Sequence, residues 1–412
     1  MNYLNSTSLT MGAMSQKIIL ITQFFYPSQS ATAQLMTDLV EGLARYGHKI
    51  QVVTATKSQG NQLLSLDSIQ VHRTRLWSQS YTSLWSKFFS SSLFLVSSIT
   101  HLLLKTAKSV PLLIVSNPPY AGLIGLVLHT LQARKYFFLF QDIFPESAVC
   151  AGILKRDSLI FYLISKLTYW IISQSAKTIV LTSAMKDFLE NKYPKLVGKF
   201  IVIENWGMNG VEPCEKEDNN FAIQYGLDKK FTVMYSGNMG RLHDMRSILD
   251  AAYILKEEGI QWVLIGEGAK LNWVTRYCQE KELKNVILLK SQPKSLLPLT
   301  LTACDISLVS LIDGAESIVA PSKLYSILAA GRCVVSISSS GSYLEKLLVK
   351  NKCGVNSDPD TPERLAQLIK ELSLDFEQVK QMGQTAHKLY IESYRLDKQV
   401  KLYDKLIRRE FY

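Results

Sequence analysis

Apolar positions along the chain fall into short runs separated by segments of helical spacing. "KIILIT" (17–22) is a β-branched run, and Leu35, Leu39, Val40, Leu43 and Ala44 then recur one helical turn apart until Gly47. "KIQVVTA" (49–55) reads as the next strand, so the order β-loop-α-turn-β predicts the start of a parallel, doubly wound sheet. "PLLIVS" (111–116), "YFFLFQ" (136–141), "KTIVLT" (177–182) and "KFIVIE" (199–204) are further strand candidates. A polar, turn-rich stretch, "NWGMNGVEPCEKEDNNFA" (205–222), interrupts the pattern and reads as a linker. The alternation restarts with "FTVMYS" (231–236), "WVLIG" (262–266), "NVILL" (285–289), "DISLVS" (305–310) and "CVVSIS" (333–338).

The pattern therefore predicts an α/β chain of two Rossmann-like, doubly wound parallel-sheet domains, 17–205 and 223–389, joined by a linker at 206–222. Residues 1–16 are expected to be a disordered leader, and a basic, aromatic C-terminal helix at about 390–412 to pack back on the first domain. Two such domains would face one another across a cleft, with their carboxyl strand ends turned toward it.

Composition adjusts this picture in three places. At 412 residues, 47% hydrophobic and 20% charged, the chain has the makings of folded domains and not of a disordered polymer. Its six cysteines (Cys150, Cys214, Cys278, Cys304, Cys333, Cys353) form no C-x-x-C pair, and "MNYLNSTSLTMGAMS" lacks the cationic start and apolar core of an export signal. Reduced thiols in a cytoplasmic protein, with no zinc site, are the expectation. Residues 1–206 hold 19 Lys and Arg against 9 Asp and Glu, whereas the remainder holds 27 against 26. A basic N-terminal half points to an anionic partner: a membrane surface, a phosphorylated substrate or a nucleic acid. No nucleic-acid-binding motif accompanies the charge, which argues against the last. "KFFSSSLFLVSSITHLLLK" (87–105) and "LIFYLISKLTYWII" (159–172) are lipid-friendly, and each reads as a buried helix, an interfacial helix or, for the first, a short span.

Candidate chemistry sits at loops after strands of the second domain. In "APSKLYSILAAG" (320–331) the helix start at Ser322, with the charge of Lys323, suits an anion such as a diphosphate, although capping without a ligand explains Pro-Ser-Lys about as well. "YSGNMGRLHDM" (235–245) carries Gly237 and Gly240, which let the backbone approach a ligand, followed by Arg241, His243 and Arg246. "IGEGAKL" (265–271) adds Gly266 and Gly268. Asp142 follows an apolar strand beside a proline, as a cleft carboxylate or as a turn residue or cap, and His48 follows a helix-ending glycine where it would satisfy helix carbonyls.

The series "FFYP", "GLARYGHKIQVVTA", "NPPY", "QDIFPES", "VLTSAM", "YSGNMG", "LIGEG" and "APSKLYSILAAG", from about residue 17 to 400, resembles bacterial glycosyltransferase family 4, best its capsule, exopolysaccharide and O-antigen branch. That resemblance implies the GT-B fold and a retaining, metal-independent transfer of a hexose or hexosamine from a nucleotide sugar, UDP-linked first and GDP-linked next. The acceptor would be a hydroxyl on a glycan or polyprenyl-diphosphate-linked glycan, and the protein would sit on the inner face of the cytoplasmic membrane, on an anionic surface, without a cofactor. It implies that Lys323 and Ser322 hold the donor diphosphate and the Gly237/Gly240 loop approaches its phosphates and sugar. The Gly266–Gly268 loop would lie by the base, with Asp142, Glu146 and Tyr26 on the acceptor side. The phosphate-loop Arg and Lys common in the family fall here at Asn238 and His243, with Arg241 and Arg246 close by. Its two donor glutamates fall at Ser326 and Ile318, with Glu316 two positions from the second. A non-catalytic GT-B subunit or scaffold also fits those departures, and a sugar-nucleotide epimerase shares the two-domain architecture.

Overall fold

The computed structural model describes residues 16–28, 30–56, 66–74 and 84–411, the side chains of 84–88 excepted. The expected leader lies outside the described residues, apart from Gln16. One sheet is built from β1 (Lys17–Ile21), β2 (Lys49–Thr54), β3 (Ile69–Arg73), β4 (Leu112–Val115), β5 (Tyr136–Leu139), β6 (Lys177–Val180) and β7 (Phe200–Val202), in the order β3-β2-β1-β4-β5-β6-β7. The other holds β8 (Thr232–Ser236), β9 (Gln261–Ile265), β10 (Val286–Leu289), β11 (Ile306–Ser310), β12 (Cys333–Ile337) and β13 (Gly354–Ser357), in the order β10-β9-β8-β11-β12-β13. Both sheets are parallel, with Ile19 opposite Leu112 in the first and Val233 opposite Ile306 in the second. Helices cover both faces of such sheets, which is why β1, β4, β9, β11 and β12 are apolar runs without alternation.

Each sheet has one strand more than the apolar runs predict. β3 ("IQVHR") and β13 ("GVNS") are edge strands, half covered, so neither needs a buried run.

The chain divides into two compact units, one running to Phe138 and taking in Tyr403 onward, the other Leu139–Leu402. In the first unit α1 (Ala31–Arg45) begins at Ser30, whose hydroxyl accepts from the Ala33 amide, and buries Leu35, Leu39, Val40 and Leu43 against the sheet. α2 (Leu84–Lys105) and α3 (Gly122–Gln132) follow. The helix Leu396–Phe411 runs into this unit, where Asp404 lies 2.7 Å from Nε2 of the fully buried His48 and accepts from Arg408. His48 is thus a core anchor for the final helix, with its own amide turned back to Leu43. Its side chain does not serve the helix carbonyls, as the sequence suggests. Burial lowers its pKa against the opposing pull of Asp404.

In the second unit the stretch expected to be a polar linker is firmly tied down. The Lys216 ammonium donates to Asp305 (2.6 Å) and to the carbonyls of Lys230 (2.7 Å) and Leu227 (3.3 Å), while Asp305 also accepts from the Thr232 amide at the start of β8. Trp206 and Val211 are buried, and the Gly207 amide reaches the Tyr394 carbonyl. Fastening partners that are distant in sequence explain why its polarity misleads.

Candidate active site at the switch point of the second sheet

In the second sheet the strand order reverses between β8 and β11, so the loops leaving their carboxyl ends diverge and open a crevice. The Gly237 loop leaves β8, and the loop leading to Lys323 leaves β11. They are laced together: His243 Nδ1 donates to the Ser310 carbonyl (2.6 Å), Ser310 Oγ donates to the Asp244 carbonyl (3.1 Å), and the Ile312 amide reaches Leu242 (3.0 Å).

Lys323 opens the helix Lys323–Ala329. Its ammonium is buried, has no hydrogen-bond partner among the described residues, and lies 3.6 Å from the centroid of the Tyr235 ring. The ring face attracts the cation but supplies no acceptor. Burial lowers the Lys323 pKa to about 7. Gly237, at φ +145°, stands against it, and a Cβ there would come within 3.2 Å of Lys323 Cε and Nζ. Tyr235 in turn donates to the Asn238 carbonyl (2.7 Å), and burial raises its phenol. Burial first, then the Lys323 charge, lowers His243 to about 3, so its imidazole is neutral with Nε2 as the basic nitrogen. Lys270 donates to the His243 carbonyl at 2.5 Å.

The second motif meets the first within the same unit. Asp142 forms an isolated antiparallel bridge with Val319, and the Ile143 amide donates to the Ile318 carbonyl (2.8 Å). "QDIFPES" is therefore strapped by its backbone to the segment just ahead of Lys323. Asp142 itself is open to solvent.

Several expected site residues have other employment. Glu146 is buried and ion-paired with Lys192. Ser326 Oγ accepts from the Met208 amide (3.1 Å), which leaves its own O–H to donate elsewhere. Glu316 accepts from both the amide (2.7 Å) and hydroxyl (2.6 Å) of Ser339, so one of its oxygens is committed to the loop after β12. Gly266 and Gly268, at φ +147° and +144°, press on the neighbouring loop: a Cβ at either would strike Gly237, Asn238 or Met239. Their first duty is loop packing, with the Met239 amide bonded to Glu267 (2.7 Å). Arg246 is exposed and pairs with Asp250 (3.5 Å) one turn along its own helix. Arg241 is exposed, and the side chain of Asn238 lies beside Gly240. Ser322 makes no side-chain cap. Tyr26 belongs to the other unit, where its carbonyl accepts from Arg73.

Two features went unread in the sequence. Tyr235, the ring under Lys323, alternates with Val233 in β8, a strand-period signal that was available. Glu204, a half-buried carboxylate bonded by Tyr343 beside Tyr394 and Tyr325, depends on four distant segments and left no local signal. Among the described residues, no group of three or more His, Cys, Asp or Glu is placed to hold a metal ion. All six cysteines are free.

Residues 217–389 match the family model for glycosyl transferases group 1. The chain is 28% identical over 260 residues to probable glycosyltransferase WbjE of Pseudomonas aeruginosa, covering 62% of this chain and 64% of that one. It is 31% identical over 120 residues to the putative colanic acid biosynthesis glycosyl transferase WcaI of Escherichia coli K12, covering 29% and 30%. The aligned stretches thus span less than two thirds of either relative's length. Among solved structures it is similar to Anabaena Alr3699/HepE in complex with UDP and glucose, with a TM-score of 0.72 at 14% identity, covering 96% of this chain and all of that one. The chain is thus similar to bacterial glycosyltransferases and has the GT-B fold, and the match to the group 1 glycosyl transferase model lies over residues 217–389, which carry the second sheet.

Proposed function

We propose that this protein is a retaining, metal-independent glycosyltransferase. It moves a hexosyl or hexosaminyl group from a nucleoside-diphosphate sugar, UDP-linked first and GDP-linked next, to a hydroxyl of a glycan or polyprenyl-diphosphate-linked glycan. The product belongs to cell-surface polysaccharide synthesis at the inner face of the cytoplasmic membrane. One observation carries the reading: Lys323 keeps a buried ammonium without an acceptor among the described residues, at the strand-order reversal and against a glycine whose missing side chain leaves it room. A buried charge of that kind is costly unless an anion completes it. The UDP held by HepE and the colanic acid pathway named for WcaI support the donor and product classes.

In the reaction the bond from the anomeric carbon to the diphosphate oxygen breaks and a bond to the acceptor oxygen forms. The acceptor proton passes to the departing diphosphate on the same face. Lys323 meets the charge developing on that diphosphate, and removal of one such donor typically costs about 3 kcal/mol, or roughly a hundredfold in rate. Asp142 orients the acceptor or steadies positive charge on the sugar.

The test is turnover with a panel of nucleotide sugars and lipid-linked acceptors, for the wild type and Lys323→Met. A donor consumed only with acceptor, and roughly a hundredfold more slowly by the variant, supports the reading. Equal rates in both would remove Lys323 from the chemistry. Interconversion of the nucleotide sugar without acceptor would make the protein an epimerase.

A further inference from the structure

We infer, resting on the transferase reading above, that the loop after β8 selects a hydroxyl group of the donor. Nε2 of His243 accepts the hydroxyl proton, and the side-chain amide of Asn238 donates to its oxygen. The tautomer follows from geometry. A carbonyl oxygen only accepts, so the 2.6 Å contact with the Ser310 carbonyl fixes the ring proton on Nδ1. Nε2 is then the lone-pair nitrogen, and it has no hydrogen-bond partner among the described residues. A second ring proton would add positive charge where two ammonium groups already stand. Lys323 lies over the Tyr235 ring that His243 meets edge-on, at 6.1 Å between centroids, and Lys270 donates to the His243 carbonyl. Burial and then the Lys323 charge keep the imidazole neutral.

Both groups face one spot. The position that a Cβ would take on Gly240 lies 3.6 Å from His243 Cδ2, the ring carbon bonded to Nε2, and 2.8 Å from Asn238 Nδ2. The Asn238 side-chain oxygen is turned the other way, toward Gly268. Asn238 is exposed and His243 half-buried, so neither is sealed from a ligand. An acceptor and a donor beside a bare glycine match a hydroxyl, which gives one proton and takes another. They do not match a phosphate oxygen, which only accepts and would meet the Nε2 lone pair. The anion is left to Lys323. Ribose and transferred sugar both carry hydroxyls that meet this description.

Calorimetry on the full chain tests the contact. The ligands are UDP and GDP, their 2′,3′-dideoxy forms, and UDP-glucose, UDP-N-acetylglucosamine and GDP-mannose. His243→Asn is the main variant, because an asparagine amide still reaches the Ser310 carbonyl while nothing replaces Nε2. It should weaken the bound nucleotide sugar roughly tenfold and leave the dideoxy nucleotide unchanged. A loss that already appears with the nucleoside diphosphate assigns the hydroxyl to the ribose. A loss confined to the nucleotide sugar assigns it to the sugar. Asn238→Ala should weaken the same ligand severalfold, and it carries the test if His243→Asn misfolds. An equal loss with the dideoxy nucleotide would overturn the inference and place His243 on the anion or the base. Unchanged affinity for every ligand in both variants would overturn it too, while loss in Lys323→Met would still uphold the diphosphate site. A wild type that binds none of these nucleotides would remove the transferase reading, and the hydroxyl contact with it.

Discussion

Lys216 and Lys323 lie in the same unit, and both bury an ammonium, yet they have opposite surroundings. Lys216 has three oxygens within 3.3 Å, one of them the Asp305 carboxylate, which also holds the first amide of β8. Lys323 has a ring face and a glycine. The first cation is completed by the fold, and it fastens a linker to a sheet. The second is left incomplete by the fold, and burial has already brought its pKa down to about 7. A protein keeps such a group where something from outside supplies the missing charge. The contrast sets a lysine completed by the fold beside the one proposed above to meet the donor diphosphate.

The largest effect that would sharpen this contrast is on stability. Lys216→Met leaves Asp305 buried without its cation and should destabilise the protein by about 3–5 kcal/mol, read from chemical denaturation. Lys323→Met removes a charge that no described residue balances, so the unliganded variant should be no less stable than the wild type and is expected to be more so. Similar losses in the two variants would erase the distinction.

The next effect is on pH. The folded pKa of Lys323 is lowered to about 7 from the ordinary 10.5, so between those values the unfolded chain holds more protons and this group makes the unliganded protein more stable as pH rises. Diphosphate binding should run the other way, because it needs the ammonium. Calorimetry should show nucleotide affinity falling roughly threefold or more from about pH 7 to about pH 9, with a flat response in Lys323→Met. A flat response in the wild type would mean that Lys323 does not meet the anion.

What could be read in advance follows how local each signal is. Strands buried on both faces announce themselves as runs such as "KIILIT" and "DISLVS", and those runs are β1 and β11. The edge strands β3 and β13 carry mixed sequences, and only their neighbours in the sheet define them. The same division holds in the site. Lys323 at a helix start and Gly237 in a strand-end turn are local features, and the fold brings them together. Glu146 and Ser326 have protein partners, Lys192 and Met208, that lie 46 and 118 residues away, so no local pattern announces those contacts. Arg246 is the exception, since its partner Asp250 is one turn on and was there to be seen.

The measurement that bears most directly on the account is a thermal-shift panel of UDP, GDP, ADP and dTDP on the wild type and on Lys323→Met. A nucleotide at about a hundred times its dissociation constant stabilises the folded state by about 2.7 kcal/mol. The account predicts that one diphosphate, UDP first, raises the wild-type melting temperature and leaves that of the variant nearly unmoved. Equal shifts in both proteins, or none from any nucleotide in a folded sample, would contradict it, and the buried ammonium of Lys323 would then need another explanation.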